Sequence, residues 1–355
     1  MSTAAKRILA VVIALVLVGA AVGIRSVIDG GDDSGRGSTD DGGTPTLLCA
    51  TELQRACEEL ERDHDLLVEV RPAGEMADVL ASLPDDQLRD LGYDGWLTLS
   101  RDAEIVRDER ERSTLDPLIG ESSDRIARSP LVIGIWKDRA AALAPTCEDS
   151  VLTWKCMGDV AGGPWTRAGG EATWGVVKPG HADPATTGDG LLVIGQAASS
   201  YFGRTDLSID DYADDGFLEW FSRLENSVRS VPFEQMLAGG PALIDMVGTT
   251  EADAGPALAR ASRDRREQVE LLYPAPVATA DVVYAPVEGA AGADDLADLL
   301  TGDDGRAALA RAGWRVDGES RASGVPATPR LPARDNVPDA GSLQALLETW
   351  REVTG

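Results

Sequence analysis

The stretch that decides the fold is TWGVVKPGHADPATTGDGLLVIG, residues 173–195. Its apolar start, Trp174–Val177, predicts a short buried strand, and the residues from Gly190 to Phe202 predict an amphipathic helix. A polar turn between a strand and a helix directs free backbone N–H groups at whatever lies above the turn. Thr186 and Thr187 stand at the expected N-cap, so the turn is either a site for an oxygen-rich ligand or an ordinary capped helix.

The composition limits the function classes open to the chain. Its 355 residues suffice for two domains, and 60 acidic against 33 basic residues give a formal net charge of −27. This anionic surface argues against nucleic acid and against docking on anionic lipid. Only two histidines occur, His64 and His181, far apart in the sequence. We therefore expect no metal site, no cofactor and no histidine-based catalytic triad.

The N-terminal residues 1–28 predict a membrane anchor or a signal peptide. Lys6 and Arg7 precede Ile8–Ile24, a run of 17 residues without a charge. The run is long for a signal core and no clear cleavage site follows, which favours an uncleaved single-pass helix with its N-terminus inside. Residues 29–45, rich in Gly, Ser, Asp and Thr, predict a flexible linker. With either anchor or signal, the body of the chain is expected outside the cytoplasm, membrane-tethered or, after cleavage, secreted.

Four cysteines fit an extracytoplasmic protein. Cys49 and Cys57 are eight residues apart, and Cys147 and Cys156 are nine apart. Pairing within each of these two groups is the simplest of the three possible connectivities. The spacing matches neither a zinc site nor a Cys-x-x-Cys redox motif, so structural disulfides are predicted.

Strands and helices alternate from residue 46 onward, which predicts an α/β fold with mostly parallel sheets covered by helices. In such sheets ligands bind at the carboxyl ends of the strands. Three predicted strands are followed directly by polar or small residues. These residues are Thr51, Gly74-Glu75 and Ser100-Arg101. The polar groups at these strand ends are therefore expected along one edge.

The chain resembles, in several segments, the extracellular solute-binding proteins of type II periplasmic topology, the molybdate-binding-like subclass that serves ABC importers. The turn Asp183-Pro184-Ala185-Thr186-Thr187-Gly188 resembles their strand, Asp-Pro-x-Thr turn and helix. Further similar segments follow in the same order: Leu47–Ala56 (first strand and helix), Ser129–Trp136 (entry to the second domain), Glu270–Pro286 with Tyr273-Pro274 (return strands), and Leu299–Val316 with Gly305 and Gly313-Trp314 (terminal element). The resemblance covers roughly residues 46–316, which is most of the chain.

The resemblance implies a two-lobed fold that grips a small ligand by hinge closure. The first lobe would comprise residues 46–128 and 271–320, and the second lobe residues 129–270. Residues 321–355 would add a Pro-rich segment and a C-terminal helix. The implied ligand contacts are Thr51, Glu52, Gly74, Glu75, Ser100, Thr186, Thr187, Gly188 and, near the hinge, Tyr273. An ABC transporter permease or a membrane sensor would be the partner.

The chain departs from the family pattern at two acidic positions. Ala50-Thr51-Glu52 stands where Ala-Ser is common, and Ala73-Gly74-Glu75 replaces a Ser-Gly pair. Ionised Glu52 and Glu75 would repel an oxyanion, which favours a cationic, zwitterionic, peptide-like or sugar-like ligand.

Three functions stay open at this point. The first is a ligand-binding protein for an importer or sensor. The second is a ligand-free extracellular interaction module of the same fold. The third is a hydrolase that uses Glu52 or Glu75 as general base with Asp183 or Asp245, although no nucleophile elbow or phosphate-binding loop occurs.

Overall fold

The computed structural model describes residues 43–316, 325 and 330–355. The predicted anchor at residues 1–28 and the predicted linker up to residue 42 lie outside these ranges. None of the helices in the described ranges combines the length and the apolar composition that crossing a bilayer requires.

Within the described ranges, nine strands form one continuous sheet with the order β2-β1-β3-β9-β4-β7-β5-β6, and β8 pairs with β4 beside this path. The strands are β1 (Thr46–Ala50), β2 (Leu67–Arg71), β3 (Gly95–Leu99), β4 (Ala127–Trp136), β5 (Pro179–His181), β6 (Arg229–Ser230), β7 (Met246–Thr250), β8 (Val269–Leu272) and β9 (Thr279–Pro286).

Two long strands divide this sheet into two lobes. Strand β9 pairs with β3 over residues 282–286 and with β4 over residues 279–282. Strand β4 then continues over residues 131–136 between β7 and β8. The first lobe therefore holds β1, β2, β3 and most of β9, and the second holds the rest of β4 with β5 to β8. This is the mixed α/β, two-lobed arrangement that the sequence motifs imply.

The prediction of mostly parallel sheets was wrong. Strands β1, β2 and β3 pair in parallel, as do β5, β6 and β7. The strands that pass between the lobes run antiparallel to their neighbours: β9 to β3, and β4 to β7, β8 and β9. Each antiparallel pair thus includes β4 or β9, the two strands that pass between the lobes.

Fifteen α-helices in the described residues cover the sheet. They are α1 (Gln54–Asp63), α2 (Ala73–Ser82), α3 (Asp85–Asp90), α4 (Ser100–Arg112), α5 (Lys137–Leu143), α6 (Trp154–Val160), α7 (Gly188–Phe202), α8 (Ile209–Tyr212), α9 (Asp215–Glu225), α10 (Phe233–Gly239), α11 (Glu251–Arg260), α12 (Arg263–Gln268), α13 (Ala293–Thr301), α14 (Asp303–Ala312) and α15 (Ala340–Thr354).

The stretch at 173–195 folds partly as predicted. Helix α7 begins at Gly188, and Thr187 is its N-cap because the Thr187 hydroxyl accepts a hydrogen bond from the N–H of Gly190. The predicted strand at Trp174–Val177 is wrong: Trp174 ends a short 3₁₀ helix, and the strand lies later, at Pro179–His181. Gly175 has a φ of 74°, which interrupts an extended run at this point. Trp174 instead stacks on the guanidinium of Arg139 at 3.6 Å.

Both predicted disulfides are confirmed. Cys49 bonds to Cys57 between the end of β1 and helix α1, and Cys147 bonds to Cys156 beside helix α6. Each bond therefore lies within one lobe, and neither crosses the hinge.

The predicted C-terminal helix is confirmed as α15. Its apolar residues Leu343 and Leu346 are fully buried in the large core that runs through both lobes. Helix α15 packs against α4 of the first lobe and against α7, α8 and α9 of the second. It is thus the one described helix that we assign to neither lobe alone.

Candidate ligand site between the lobes

A cavity of about 350 Å³ lies between the lobes, at the edge where β1, β7 and the start of α7 meet. Its lining contains the first-lobe residues Thr51, Glu52, Gln54 and Arg55, and the second-lobe residues Ala182, Thr187, Asp189, Val231, Pro232, Phe233, Glu234, Val247, Gly248, Thr249, Thr250, Asp253 and Arg260. The volume suits a small molecule of the kind that enclosed sites bind.

Glu52 joins the lobes directly. Strand β1 ends at Ala50, and the next three residues form a 3₁₀ turn that carries Glu52 towards the second lobe. The Oε1 atom of Glu52 accepts a hydrogen bond from the N–H of Gly188 at 2.6 Å and a longer one from Asp189 at 3.4 Å. The Thr51 hydroxyl donates to Oε2 at 3.2 Å. A side-chain carboxylate of this chain therefore occupies the anion position at the N-terminus of α7.

The turn before α7 uses its own hydroxyls. Asp183 closes the turn, because its Oδ1 accepts from the N–H of Ala185 at 2.8 Å. The hydroxyls of Thr186 and Thr187 both donate to the carbonyl of Asp183, at 3.3 and 3.0 Å. The Thr187 hydroxyl also accepts from Gly190 at 3.2 Å. Of the two threonines, Thr187 lines the cavity and Thr186 faces the first lobe with its backbone.

Two glycines allow the lobes to approach this closely. The N–H of Gly74 donates to the carbonyl of Thr186 at 2.9 Å. A Cβ at Gly74 would lie 2.7 Å from the carbonyl oxygen of Ala185, which is too close for any side chain. A Cβ at Gly188 would collide with the carboxylate of Asp102. Both glycines are therefore required by close packing between the lobes.

Three carboxylates with perturbed pKa values meet here. Asp102 is 2% exposed, and burial raises its pKa to about 7 although the Thr98 hydroxyl donates to it. Burial also raises the pKa of Glu52, and the nearby charge of Asp102 raises it further. The pKa of Asp189 is raised by burial and by the charge of Glu52. Among the described residues, none of these three carboxylates forms a salt bridge.

The rest of the cavity wall carries two further carboxylates, Asp253 and Glu234, and two arginines, Arg55 and Arg260. Burial raises the pKa of Asp253, and nearby Arg55 opposes that rise. Arg55 donates to the carbonyl of Ala252 at 3.1 Å, which ties α1 to the second lobe. Arg260 pairs with Glu234 at 3.6 Å. The lining thus presents four carboxylates and two guanidinium groups, and the arginines lie beside Asp253 and Glu234 rather than beside Glu52 and Asp189.

The remaining predicted site residues lie outside this cavity. Glu75 points into solvent, and Ser100 begins helix α4 without lining the cavity. The Tyr273 hydroxyl donates to Glu251 at 2.6 Å, and Glu251 is held by the buried guanidinium of Arg315. Tyr273 therefore belongs to a hinge cluster that joins the terminal element of the first lobe to α11.

The four carboxylates considered for a hydrolase are dispersed. Glu52 lines the cavity, Glu75 is exposed and Asp183 is engaged in its turn. Asp245 is fully buried in the second lobe, where it accepts hydrogen bonds from Arg139 at 2.9 Å and from Trp165 at 3.1 Å. Neither Glu52 nor Glu75 therefore shares a site with Asp183 or Asp245, as the hydrolase hypothesis required.

The sequence did not single out Asp102, Asp189 or Asp253 as site residues. Each lies in the first turn of a helix that follows a strand or the key turn, where an acidic residue ordinarily only complements the helix dipole. The sequence signal that could have indicated them is their shared position, shortly after strands or a turn whose ends meet at one edge of the sheet. In the described residues no group of three or more His, Cys, Asp or Glu has the arrangement of a metal site.

Comparisons with known proteins identify the fold. No protein-family model matches the chain, and no curated protein matches its sequence. Among solved structures, the chain is similar to a putative spermidine/putrescine ABC transporter protein from Listeria monocytogenes, with a TM-score of 0.57, 12% identity and coverage of 88% of this chain and 98% of that one.

Two further structures give the same result. The Tp0655 (TpPotD) lipoprotein of Treponema pallidum has a TM-score of 0.57 at 13% identity, covering 88% of this chain and 99% of that one. Iron-bound HitA from Pseudomonas aeruginosa has a TM-score of 0.55 at 14% identity, covering 87% and 99%. At these identities the similarity establishes the two-lobed fold of periplasmic binding proteins and leaves the ligand open.

Proposed function

We propose that this chain is an extracytoplasmic binding protein that holds a small cationic ligand between its lobes and presents it to an ABC importer or a membrane sensor. The observation that carries the proposal is the position of Glu52 at the N-terminus of α7. The positive end of that helix would otherwise attract an anionic ligand, and the carboxylate of Glu52 already fills its place.

The charges around the cavity support a cation. Glu52 and Asp189 face the same space, and both have raised pKa values because burial and neighbouring carboxylates oppose their ionisation. A bound ammonium or guanidinium group would relieve this repulsion and would favour the ionised forms. A bound oxyanion would increase the repulsion between the negative charges. The molybdate-binding-like subclass suggested by the motifs therefore stays a prediction, and its usual class of ligand is not the one we propose.

The fold comparison supports a binding role. One similar structure is described as a spermidine/putrescine ABC transporter protein, and polyamines are flexible cations that a cavity of about 350 Å³ would accept. Two disulfides fit an oxidising compartment outside the cytoplasm. The predicted anchor at residues 1–28 would tether such a protein to the membrane.

A thermal-shift screen tests the proposal. We would heat the protein with millimolar spermidine, putrescine or arginine, and separately with molybdate, sulfate or phosphate. A ligand present at 100 times its Kd stabilises the folded state by about 2.7 kcal/mol, which raises the melting temperature by several degrees. We expect a rise with at least one cation. A rise with the anions alone would overturn the choice of a cationic ligand.

Direct bonds between the lobes favour the interaction module as the second candidate. Glu52, Gly74 and Arg55 all form hydrogen bonds that join one lobe directly to the other. A module held closed in this way would present a fixed outer surface to a protein partner. No stabilisation by any compound in the screen would favour this second candidate over the first.

A further inference from the structure

Helix α15 crosses the boundary between the lobes. On the first-lobe side it packs against α4, and on the second-lobe side against α7, α8 and α9. The first turn of α7 carries Asp189, which lines the ligand cavity, and the first turn of α4 carries Asp102, whose carboxylate lies against Gly188 of α7. Any motion that separates the lobes must therefore move apart two helices to which α15 is attached.

The contacts of α15 with the second lobe are buried and apolar at their centre. Leu343 is fully buried and packs so closely on Gly195 of α7 that a side chain there would collide with it. The hydroxyl of Ser342, which is 6% exposed, donates to the carbonyl of Leu207. Burial of this kind stabilises the attachment of α15 to the second lobe.

A buried polar network adds to this attachment. The indole N–H of Trp350 donates to Oε2 of Glu225 at 2.9 Å. The same oxygen lies 3.1 Å from Nε2 of His181, the last residue of β5 before the turn at 183–188. Asn226 donates to the carbonyl of Val353 at 2.9 Å. The network links α15 to the segment that leads into the cavity.

The polar contacts of α15 with the first lobe are of a different kind. Gln344 donates to Oε2 of Glu109 at 2.7 Å and accepts a hydrogen bond from Arg112. Arg351 lies 3.8 Å from Asp78, and the two side chains are 42% and 73% exposed. The bond from Gln344 to the Glu109 carboxylate is half-buried and has a charged acceptor, so it contributes more than the exposed pair of Arg351 and Asp78.

We propose that α15 is a strap that stays on the second lobe and restrains hinge opening through the polar contacts of Gln344 and Arg351 with the first lobe. The buried contacts keep the helix on the second lobe, and the polar contacts of Gln344 and Arg351 set how readily the first lobe separates. The cavity would then open only as far as the strap allows, whatever ligand it binds. A binding protein with this strap is expected to stay closed without a ligand.

Distance measurements between spin labels test the strap without any ligand. All four native cysteines are in disulfides, so labels attach only to introduced ones. Arg62→Cys on α1 and Ala238→Cys on α10 place one label on an exposed position of each lobe. The labelled chain is compared with its Gln344→Ala/Arg351→Ala variant. The control variant is Glu348→Ala, which changes an exposed residue of the same helix.

We expect a single short distance in the labelled chain and in the control, and an added longer distance in the double variant. Amide hydrogen exchange should show residues 340–354 equally protected in both, because the strap remains on the second lobe. Unchanged distances in the double variant would overturn the proposal. So would two distances in the labelled chain itself, or a longer distance accompanied by loss of protection in α15. The single variant Gln344→Ala gives the same readout if the double variant does not fold.

This experiment contains no ligand. Its outcome is therefore separate from that of the thermal-shift screen, and either result can fail without the other.

Discussion

The carboxylate of Glu52, on the first lobe, accepts a hydrogen bond of 2.6 Å from the backbone N–H of Gly188, on the second. A single side chain thus caps helix α7, joins the lobes and forms part of the cavity wall. Burial raises the pKa of Asp189 in the same cavity, and the neighbouring charge of Glu52 raises it further.

The variant Glu52→Gln is expected to weaken the binding of a cation. Glutamine keeps an oxygen that can accept from Gly188 but removes the negative charge from the cavity. Loss of one charged contact in a partly buried site corresponds to about 1.4 kcal/mol or more, or about tenfold in Kd. Isothermal titration with the cation found in the thermal-shift screen would measure the change. Glu75→Gln, at an exposed residue outside the cavity, is the matched control, and an equal loss there would argue against a role for the cavity.

The variant Asp102→Asn is expected to stabilise the protein at pH 8 and to stabilise it much less at pH 5. The folded-state pKa of Asp102, about 7, lies above its unfolded value near 4, so the folded state favours the protonated acid. The cost of ionising it is present above pH 7 and is relieved as the pH falls from 7 towards 4. Asparagine avoids this cost at every pH, which at pH 8 corresponds to about 4 kcal/mol for a pKa difference of about three units.

Melting temperatures of the two proteins across this pH range check the prediction. A stabilisation that stayed constant between pH 5 and pH 8 would show that the charge of Asp102 is not its cause.

The variant Gly74→Ala is expected to hold the lobes apart while each lobe stays folded. The added methyl group would approach the carbonyl of Ala185 on the other lobe to 2.7 Å, and backbone atoms cannot yield as a flexible side chain can. Small-angle scattering should show a larger radius of gyration, and circular dichroism should be unchanged. Gly43→Ala, where no atom lies within 4 Å of the added carbon, is the control. Unfolding of the Gly74 variant would contradict this prediction, because it would mean that the lobes do not stay folded without their close contact at Gly74.

The variant Glu251→Gln is expected to destabilise the hinge by about 3 kcal/mol. Glu251 is fully buried and neutralises the buried guanidinium of Arg315, while the Tyr273 hydroxyl donates to it. Removing one charge from a buried pair leaves the other uncompensated. The midpoint of urea unfolding would report the loss. Glu234→Gln breaks an exposed pair with Arg260 and should cost about 0.5 kcal/mol or less. An equal loss of unfolding free energy in the two variants would contradict the role of Glu251 as the partner of a buried charge.

Some of the fold could be predicted from the sequence because it depends on local patterns. The apolar periods predicted helix α7 and the C-terminal helix, and the spacing of cysteines predicted both disulfides. The placement of Thr51, Glu52 and Thr187 at one cavity follows from strand ends that share an edge. The false strand at Trp174–Val177 arose because a half-buried tryptophan and two valines imitate a strand, although Gly175 interrupts it.

The rest depends on packing between segments distant in the sequence. Asp102 has a raised pKa because α7 of the other lobe covers it, and no local pattern around residue 102 indicates that cover. Tyr273 follows the return strand, as the family resemblance implied, but its hydroxyl is taken by Glu251, 22 residues earlier. The contact of α15 with both lobes likewise joins residues more than 100 positions apart.

The disulfide between Cys49 and Cys57 encloses the turn that carries Glu52. Cys49 lies near the end of β1, just before the turn, and Cys57 lies in α1 just after it, so the Glu52 carboxylate projects from a short covalent ring. Reduction of the disulfide would open that ring without separating the lobes. The turn would then no longer hold the Glu52 carboxylate in position to accept the hydrogen bond from Gly188. The proposed ligand binding is therefore expected to depend on oxidation of this cysteine pair, in the compartment where the disulfides form.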